Sequence, residues 1–170
     1  MHEQRGRTFR RIGVAATAIA LSAGTTGAAD AGSQRSFHGV FRETAVGAGL
    51  GYDLNGSAKM TITSVGTVVK INVSGLDPDK DYASHLHNGT CASGGGGHYQ
   101  HLEGGAVTPP NELWLTTSAS IVESNPGGAA HATGSATWIA RTTGSATTAR
   151  SVVVHEPAPG NPRIACADLR

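Results

Sequence analysis

The sequence predicts an all-β domain, a β-sandwich or barrel of about eight short strands. Three observations support this fold class: short runs in which apolar and polar residues alternate, turn-forming clusters between the runs, and a composition unsuited to long helices. Charged residues make up 15% of the 170 residues, aromatic residues 5%, and 24 residues are glycine. Short strands at regular spacing, separated by glycine- and proline-rich turns, are typical of sandwiches and barrels.

Each predicted strand follows from its own pattern. The alternation is strict in 67–74, where Val69, Ile71 and Val73 share one face, and 58–63 repeats it with Met60 and Ile62. Further β-rich runs cover 37–44, 82–87, 113–122, 132–140, 150–155 and 163–169. Turn clusters at 75–78, 125–128 and 157–160 separate several of these runs, so we expect one domain without an internal repeat.

The N-terminus has the pattern of a secretory signal peptide over residues 1–31. An arginine-rich start is followed by an apolar stretch at 12–23 and by small residues that end at Ala31. We therefore expect a secreted or extracytoplasmic protein with a flexible tail at 32–36 and a single domain at 37–170. The apolar stretch is too short to span a membrane, and no later run approaches the roughly 20 apolar residues of a transmembrane helix. Arg10-Arg11 leaves both the general secretory and the twin-arginine export routes open.

The charge balance excludes a strongly basic protein. The whole chain has a formal net charge of +1, and removal of residues 1–31 leaves nine basic and ten acidic residues. Such a balance is not that of a nucleic-acid-binding domain, so we expect no nucleic-acid partner. Cys91 and Cys166 both lie in the predicted domain, and two cysteines in an exported chain most simply pair, although two separate thiols are the alternative.

Histidines mark the candidate functional site. His85 and His87 occupy positions i and i+2 of a predicted strand, so their side chains face the same side. His98 and His155 lie at the end of a glycine-rich loop and at the end of another predicted strand. Imidazole nitrogens suit copper and zinc, and a set without a free thiolate favours copper redox chemistry or a zinc site. A single His-x-His pair is commonly surface decoration, but four such histidines predict a metal centre.

These segments resemble, in sequence and in order, the copper-zinc superoxide dismutase family. The resemblance spans about 37–169 and is carried by His85-x-His87, Gly-His-Tyr at 97–99, Val-Val-His-Glu at 153–156 and Arg-Ile-Ala-Cys at 163–166. It implies a Greek-key β-sandwich or flattened barrel of about eight antiparallel strands, and a disulfide between Cys91 and Cys166. It also implies copper bound by His85, His87, His98 and His155, with Arg163 as the residue that guides the anionic substrate.

Two departures from the family pattern resemble its copper-only branch. In the family, the residue that matches His98 bridges copper to zinc, and a long loop supplies further zinc ligands. Here the loop before Leu113 offers only His101, Glu103 and Glu112, and ten residues separate His155 from Cys166. We therefore expect copper as the cofactor, with zinc absent or only partly bound. Without zinc, another group must orient the His98 ring, and our hypothesis is that a carboxylate, Glu103 or Glu112, does so.

The resemblance implies an exported copper-dependent superoxide dismutase, in which Arg163 and His98 are catalytic and superoxide is the substrate. The alternative is a non-catalytic protein of the same fold that stores or delivers copper; an adhesive sandwich with a vestigial site is a third interpretation. Arg163 beside the metal is the feature that an enzyme needs and a store does not. His38, His101 and His131 have no assigned role, Trp114 and Trp138 are interpreted as packing residues, and the oligomeric state stays open.

Overall fold

The computed structural model describes residues 33–116, 122–144 and 147–170. Within these residues the chain forms eight strands, one short helix α1 (Ala45–Gly49) and a 3₁₀ turn (Cys91–Ser93). The strands are β1 (Arg35–Glu43), β2 (Asn55–Thr63), β3 (Gly66–Ser74), β4 (Asp81–His87), β5 (Val122–Glu123), β6 (Ala129–Ala136), β7 (Ser151–His155) and β8 (Arg163–Asp168). They form a nearly all-β, antiparallel structure, which confirms the predicted fold class.

The sheet order is β5-β4-β7-β8-β1-β2-β3-β6, and every pairing is antiparallel. β2 and β3 form a hairpin, and β1 pairs with β2 across a connection that contains α1. By contrast, β4 pairs with β7 and β8 with β1 across long stretches of sequence. Residues 112–116 lie beside β4, and a bridge between Thr116 and Thr133 joins this segment to β6, the last strand in the sheet order. The sheet therefore curls into a nearly closed barrel.

The predicted alternation matches the observed burial. In β3, Val69, Ile71 and Val73 are buried, while Lys70 and Asn72 are exposed. β7 differs, because all five of its residues are buried. It lies between β4 and β8, so one of its faces contributes to the barrel core and the other is covered by chain segments that also carry the histidines.

Some predicted boundaries differ from the structure. β1 begins at Arg35, which pairs with Ile62, so Arg35 and Ser36 belong to a strand and not to the expected tail. The run predicted as one strand over 113–122 divides into isolated bridges at 112–116 and the two-residue strand β5, with 117–121 outside the described residues. The signal peptide predicted over residues 1–31 also lies outside them.

Helix α1 was not indicated by the apolar pattern, and a local hydrogen bond explains where it begins. Thr44 caps it, because the Gly47 N–H donates to Thr44 Oγ1 at 3.1 Å. The Thr44 hydroxyl in turn donates to the Arg163 carbonyl oxygen at 2.5 Å and so ties the helix start to β8. Within the described residues, no helix is both long and apolar enough to cross a membrane.

Candidate metal centre

Three chain segments bring four histidines to one place. β4 presents His85 and His87 on the same face, and its neighbour β7 ends in His155. His98 arrives from the loop after the 3₁₀ turn and forms a β-bridge with His87. β4 is paired with β7 and also bridged to the loop at His98, so the four side chains are positioned by backbone pairing.

The four side chains form one compact cluster. Each offers one nitrogen, and these four nitrogens lie within 4.8 Å of one another. The ring centroids of His85 and His98 are 4.2 Å apart, and those of His87 and His155 are 5.4 Å apart. The Nε2 atoms of His87 and His155 approach to 3.3 Å. Such convergence of imidazole nitrogens can hold a metal ion.

Burial keeps three of these imidazoles neutral. His85 is 5% exposed, His87 0% and His155 4%. Burial, with a smaller contribution from His98 and the other neighbouring imidazoles, lowers the pKa of His85 to about 2 and that of His87 to about 3. Burial also lowers the pKa of His155. At neutral pH the rings therefore have the unprotonated nitrogens that a metal requires.

Hydrogen bonds orient two of the rings. His155 Nδ1 lies 2.9 Å from the carbonyl oxygen of Asn161, and His98 Nδ1 lies 2.7 Å from Glu112 Oε2. Because both partners accept, Nδ1 of each ring carries the proton. The Nε2 atom of each ring is then left with a free lone pair. This is the usual way in which a protein fixes the tautomer of a metal-binding histidine.

His85 supplies the clearest test of whether a metal fits. Both of its ring nitrogens are buried, and neither has a hydrogen-bond partner among the described residues. An unpartnered buried polar atom is costly and rare in folded proteins. An ion bound between the imidazoles would satisfy it, and the all-nitrogen donor set suits copper or zinc.

Of the two glutamates predicted to orient His98, Glu112 is the one that contacts it. Its side chain is 1% exposed, whereas Glu103 lies on an exposed part of the loop, so the structure favours one of the two predicted candidates. Trp114 Nε1 donates to the same Glu112 oxygen at 2.9 Å. Sequence reasoning missed this contact, although the i, i+2 spacing of Glu112 and Trp114 on a β-rich run was a usable signal.

The loop before His98 is tied to β8. Cys91 and Cys166 form a disulfide, as expected, and the Cys91 N–H donates to Asp168 Oδ1 at 2.8 Å. Arg163 Nη1 donates to the carbonyl oxygen of Gly94. Gly94 and the next two residues have φ values of 70°, 84° and 65°, a left-handed run that favours glycine. The positive charge of the Arg163 guanidinium also helps to lower the pKa values of His87 and His155.

Glu156, which directly follows His155, has a role that the sequence did not indicate. It lies in a polar cluster with Lys80, Asp77 and Tyr52, where Lys80 Nζ is 2.5 Å from Glu156 Oε1 and 2.9 Å from Asp77 Oδ2. The Lys80 ammonium lowers the pKa of Asp77. The cluster anchors the chain just after His155 to the turn before β4.

The three histidines without an assigned role lie outside the cluster. His38 and His131 are exposed on β1 and β6. His101 stacks on Trp138 with ring centroids 5.1 Å apart and planes 6° apart. The structure therefore separates these three from the four that converge.

The fold and the site define a class: an all-β, disulfide-linked protein with a four-histidine centre that could hold a metal ion. Neither a scan against models of known protein families nor a search of curated proteins finds a match to this chain.

Proposed function

We propose that this protein is an exported copper-dependent superoxide dismutase, similar to the copper-only branch of the copper-zinc superoxide dismutase family. The observation that carries the proposal is the convergence of His85, His87, His98 and His155 within 4.8 Å. It is supported by the order of these residues along the chain, by the all-β fold and by the disulfide between Cys91 and Cys166.

The four histidines are the proposed copper ligands. Bound copper would supply the Cu(II)/Cu(I) cycling that oxidises one superoxide to dioxygen and reduces the next, with two protons, to hydrogen peroxide. Neutral imidazole nitrogens suit copper. The lowered pKa values of His85 and His87 keep protons from competing for the ligand nitrogens over the physiological range.

His98 is the proposed ligand next to solvent. Its side chain is 30% exposed, whereas those of the other three are almost completely buried. Glu112 accepts a hydrogen bond from the Nδ1–H group and so holds the ring with Nε2 towards the cluster. A zinc ion holds the matching ring in the zinc-containing family members; in the proposal, Glu112 does so here. The exposed edge of His98 gives protons from water a path to the site.

Arg163 is the proposed binding residue for superoxide. A guanidinium is always charged and offers several hydrogen-bond donors, which suits a small anion. Its contact with the Gly94 carbonyl oxygen fixes the side chain beside the loop that leads to His98. A protein that only stores or delivers copper has no need for this cation, so Arg163 separates the two functions.

The test is superoxide decay measured by stopped-flow spectroscopy on protein loaded with copper, with copper and zinc contents determined on the same sample. We expect catalytic decay with about one copper per chain. His85→Ala should remove copper and activity together, and Arg163→Ala should retain copper but lower the second-order rate constant about tenfold. Arg35→Ala, an exposed arginine on β1, is the matched control and should be unchanged.

Two outcomes would overturn the proposal. Full copper binding without catalytic decay, unaffected by Arg163→Ala, would favour storage or delivery. Full activity that requires one zinc per chain would remove the copper-only interpretation.

A further inference from the structure

Trp114 lies against the candidate metal centre through backbone pairing. The segment 112–116 runs beside β4, and Trp114 forms a β-bridge with His85. Flanking hydrogen bonds fix this register, from Leu86 N–H to the Leu113 carbonyl oxygen at 3.0 Å and from Leu115 N–H to the Ser84 carbonyl oxygen at 2.9 Å. The indole and imidazole centroids are 4.5 Å apart with planes at 55°. The indole ring therefore restricts the His85 ring.

Trp114 also reaches a second histidine through Glu112. The indole Nε1 donates to Glu112 Oε2 at 2.9 Å, and His98 Nδ1 contacts the same oxygen at 2.7 Å. Gln100 Nε2 donates to the other carboxylate oxygen at 3.2 Å. Because the Glu112 side chain is 1% exposed, these donors replace the water that a carboxylate would otherwise bind. The indole N–H thus fixes the oxygen that meets His98.

We propose that Trp114 is a positioning residue of the metal centre. Its ring restrains His85 and its N–H holds Glu112 against His98, so one side chain sets the orientation of two ligands from separate chain segments. Pre-oriented ligands bind a metal more tightly, because less freedom is lost on binding. The proposal rests on the proposed metal centre, but it does not depend on the substrate.

Trp138 provides a matched comparison. Its Nε1 donates to the carbonyl oxygen of Pro110 at 2.6 Å, and its ring lies near Tyr99 and His101. Neither ring is one of the four clustered histidines. A general loss of aromatic packing would affect both tryptophan variants, whereas a positioning role would affect only Trp114.

The experiment titrates metal-free protein with Cu(II) against a competing chelator and records the electron paramagnetic resonance (EPR) spectrum of the bound copper. Trp114→Phe keeps a ring against His85 and removes the N–H, so we expect the dissociation constant to rise about threefold to tenfold. Trp114→Leu also removes the ring and should raise it about 10- to 100-fold, with altered copper hyperfine coupling. Trp138→Phe should change neither quantity. Thermal unfolding of each metal-free variant controls for folding.

A double-mutant cycle separates positioning from packing. Once Glu112→Ala has removed the acceptor, Trp114→Phe should produce no further loss of affinity, because its N–H acts through Glu112. Additive losses, or a Trp114→Phe protein with unchanged affinity and spectrum, would overturn the route through the indole N–H. A Trp114→Leu protein with unchanged affinity and spectrum would overturn the proposal. If the unmodified protein bound no Cu(II), the proposed function would fail and this inference with it. Copper binding that depends on Trp114 without superoxide decay would support the inference and refute only the dismutase.

Discussion

At the scale of single residues, the candidate site depends on one buried carboxylate. Glu112 accepts hydrogen bonds from His98, Trp114 and Gln100, while Glu103 lies exposed on the same loop. The sequence predicted that a glutamate orients His98 but did not distinguish Glu103 from Glu112. Which of the two contacts His98 depends on how the loop between 99 and 112 folds back. The β-bridge between Gln100 and Glu112 brings Glu112 beside the segment that carries His98.

Glu112→Gln should therefore weaken copper binding and Glu103→Gln should not. Loss of the negative charge weakens the hydrogen bond from His98 Nδ1 to residue 112. Substitution of a residue that hydrogen-bonds to a metal ligand typically lowers metal affinity about 10- to 100-fold. Chelator competition measures the dissociation constants, with Glu103→Gln expected within about twofold of the unmodified protein. If the double variant bound copper as tightly as the unmodified protein, Glu112 would have no part in orienting His98.

The buried histidines predict how the stability of the metal-free protein depends on pH. The pKa values of His85, His87 and His155 are lowered from an unfolded value near 6.5. Well above about pH 6.5 these rings are neutral in both states, so this contribution to stability is fully present. As the pH falls below that value, the unfolded chain takes up protons that the folded chain binds less readily. The free energy of unfolding then falls by up to about 1.4 kcal/mol per pH unit for each of His85 and His87, and His155 adds to the loss.

Urea denaturation of metal-free protein between about pH 7.5 and about pH 5 measures this slope. His85→Asn removes one of the three groups and should make the loss less steep, whereas His131→Asn should not change it. A free energy of unfolding that stayed level down to about pH 5 would show that these rings are not buried as neutral groups.

At the scale of elements, the sequence predicted strands where the alternation was local. β2, β3 and β4 lie within a few residues of their expected bounds, because each has one face in the core. The run over 113–122 was predicted as one strand, but residues 112–116 contact β4 on one side and β6 on the other. Pairing of this kind depends on distant strands, so no local pattern indicates it.

Gly134 controls the position of that segment. A Cβ atom at Gly134 would meet the Trp114 carbonyl oxygen and would lie 2.6 Å from Leu113 Cδ2. Gly134→Ala should therefore displace the segment that carries Glu112, lower the free energy of unfolding by about 1–3 kcal/mol and weaken copper binding.

Gly49→Ala is the control for this substitution. Gly49 belongs to α1, and a Cβ atom there would have nothing within 4 Å. This variant should be neutral or more stable by up to about 1 kcal/mol. Chemical denaturation compares the two, and equal stability of both variants would argue against a close approach at Gly134.

At the scale of the whole molecule, the fold class followed from the sequence but the neighbour order of the strands did not. β8 pairs with β1 and β4 with β7, which are far apart in the chain, and these pairings bring His155 beside β4. Composition and alternation predicted an all-β sandwich or barrel, and the histidine pattern predicted a metal centre. Neither indicated which strands would be neighbours.

Net charge predicts a weak dependence of the proposed activity on salt. Residues 32–170 carry nine basic and ten acidic side chains, so in the proposed enzyme long-range attraction of superoxide would be small and the local Arg163 would dominate. Raising the ionic strength from about 0.01 M to about 0.15 M shortens the Debye length from about 30 Å to about 8 Å. We expect the rate constant for superoxide decay to fall less than about threefold over this range. A steeper fall would show that charges distributed over the surface steer the substrate.

The central claim is that His85, His87, His98 and His155 form one copper site. The most direct measurement is the EPR spectrum of protein loaded with one equivalent of Cu(II). We predict a single species with coupling to several imidazole nitrogens, unchanged in His131→Ala and altered in His155→Ala. A spectrum dominated by oxygen ligands, or one that His155→Ala leaves unchanged, would contradict the claim.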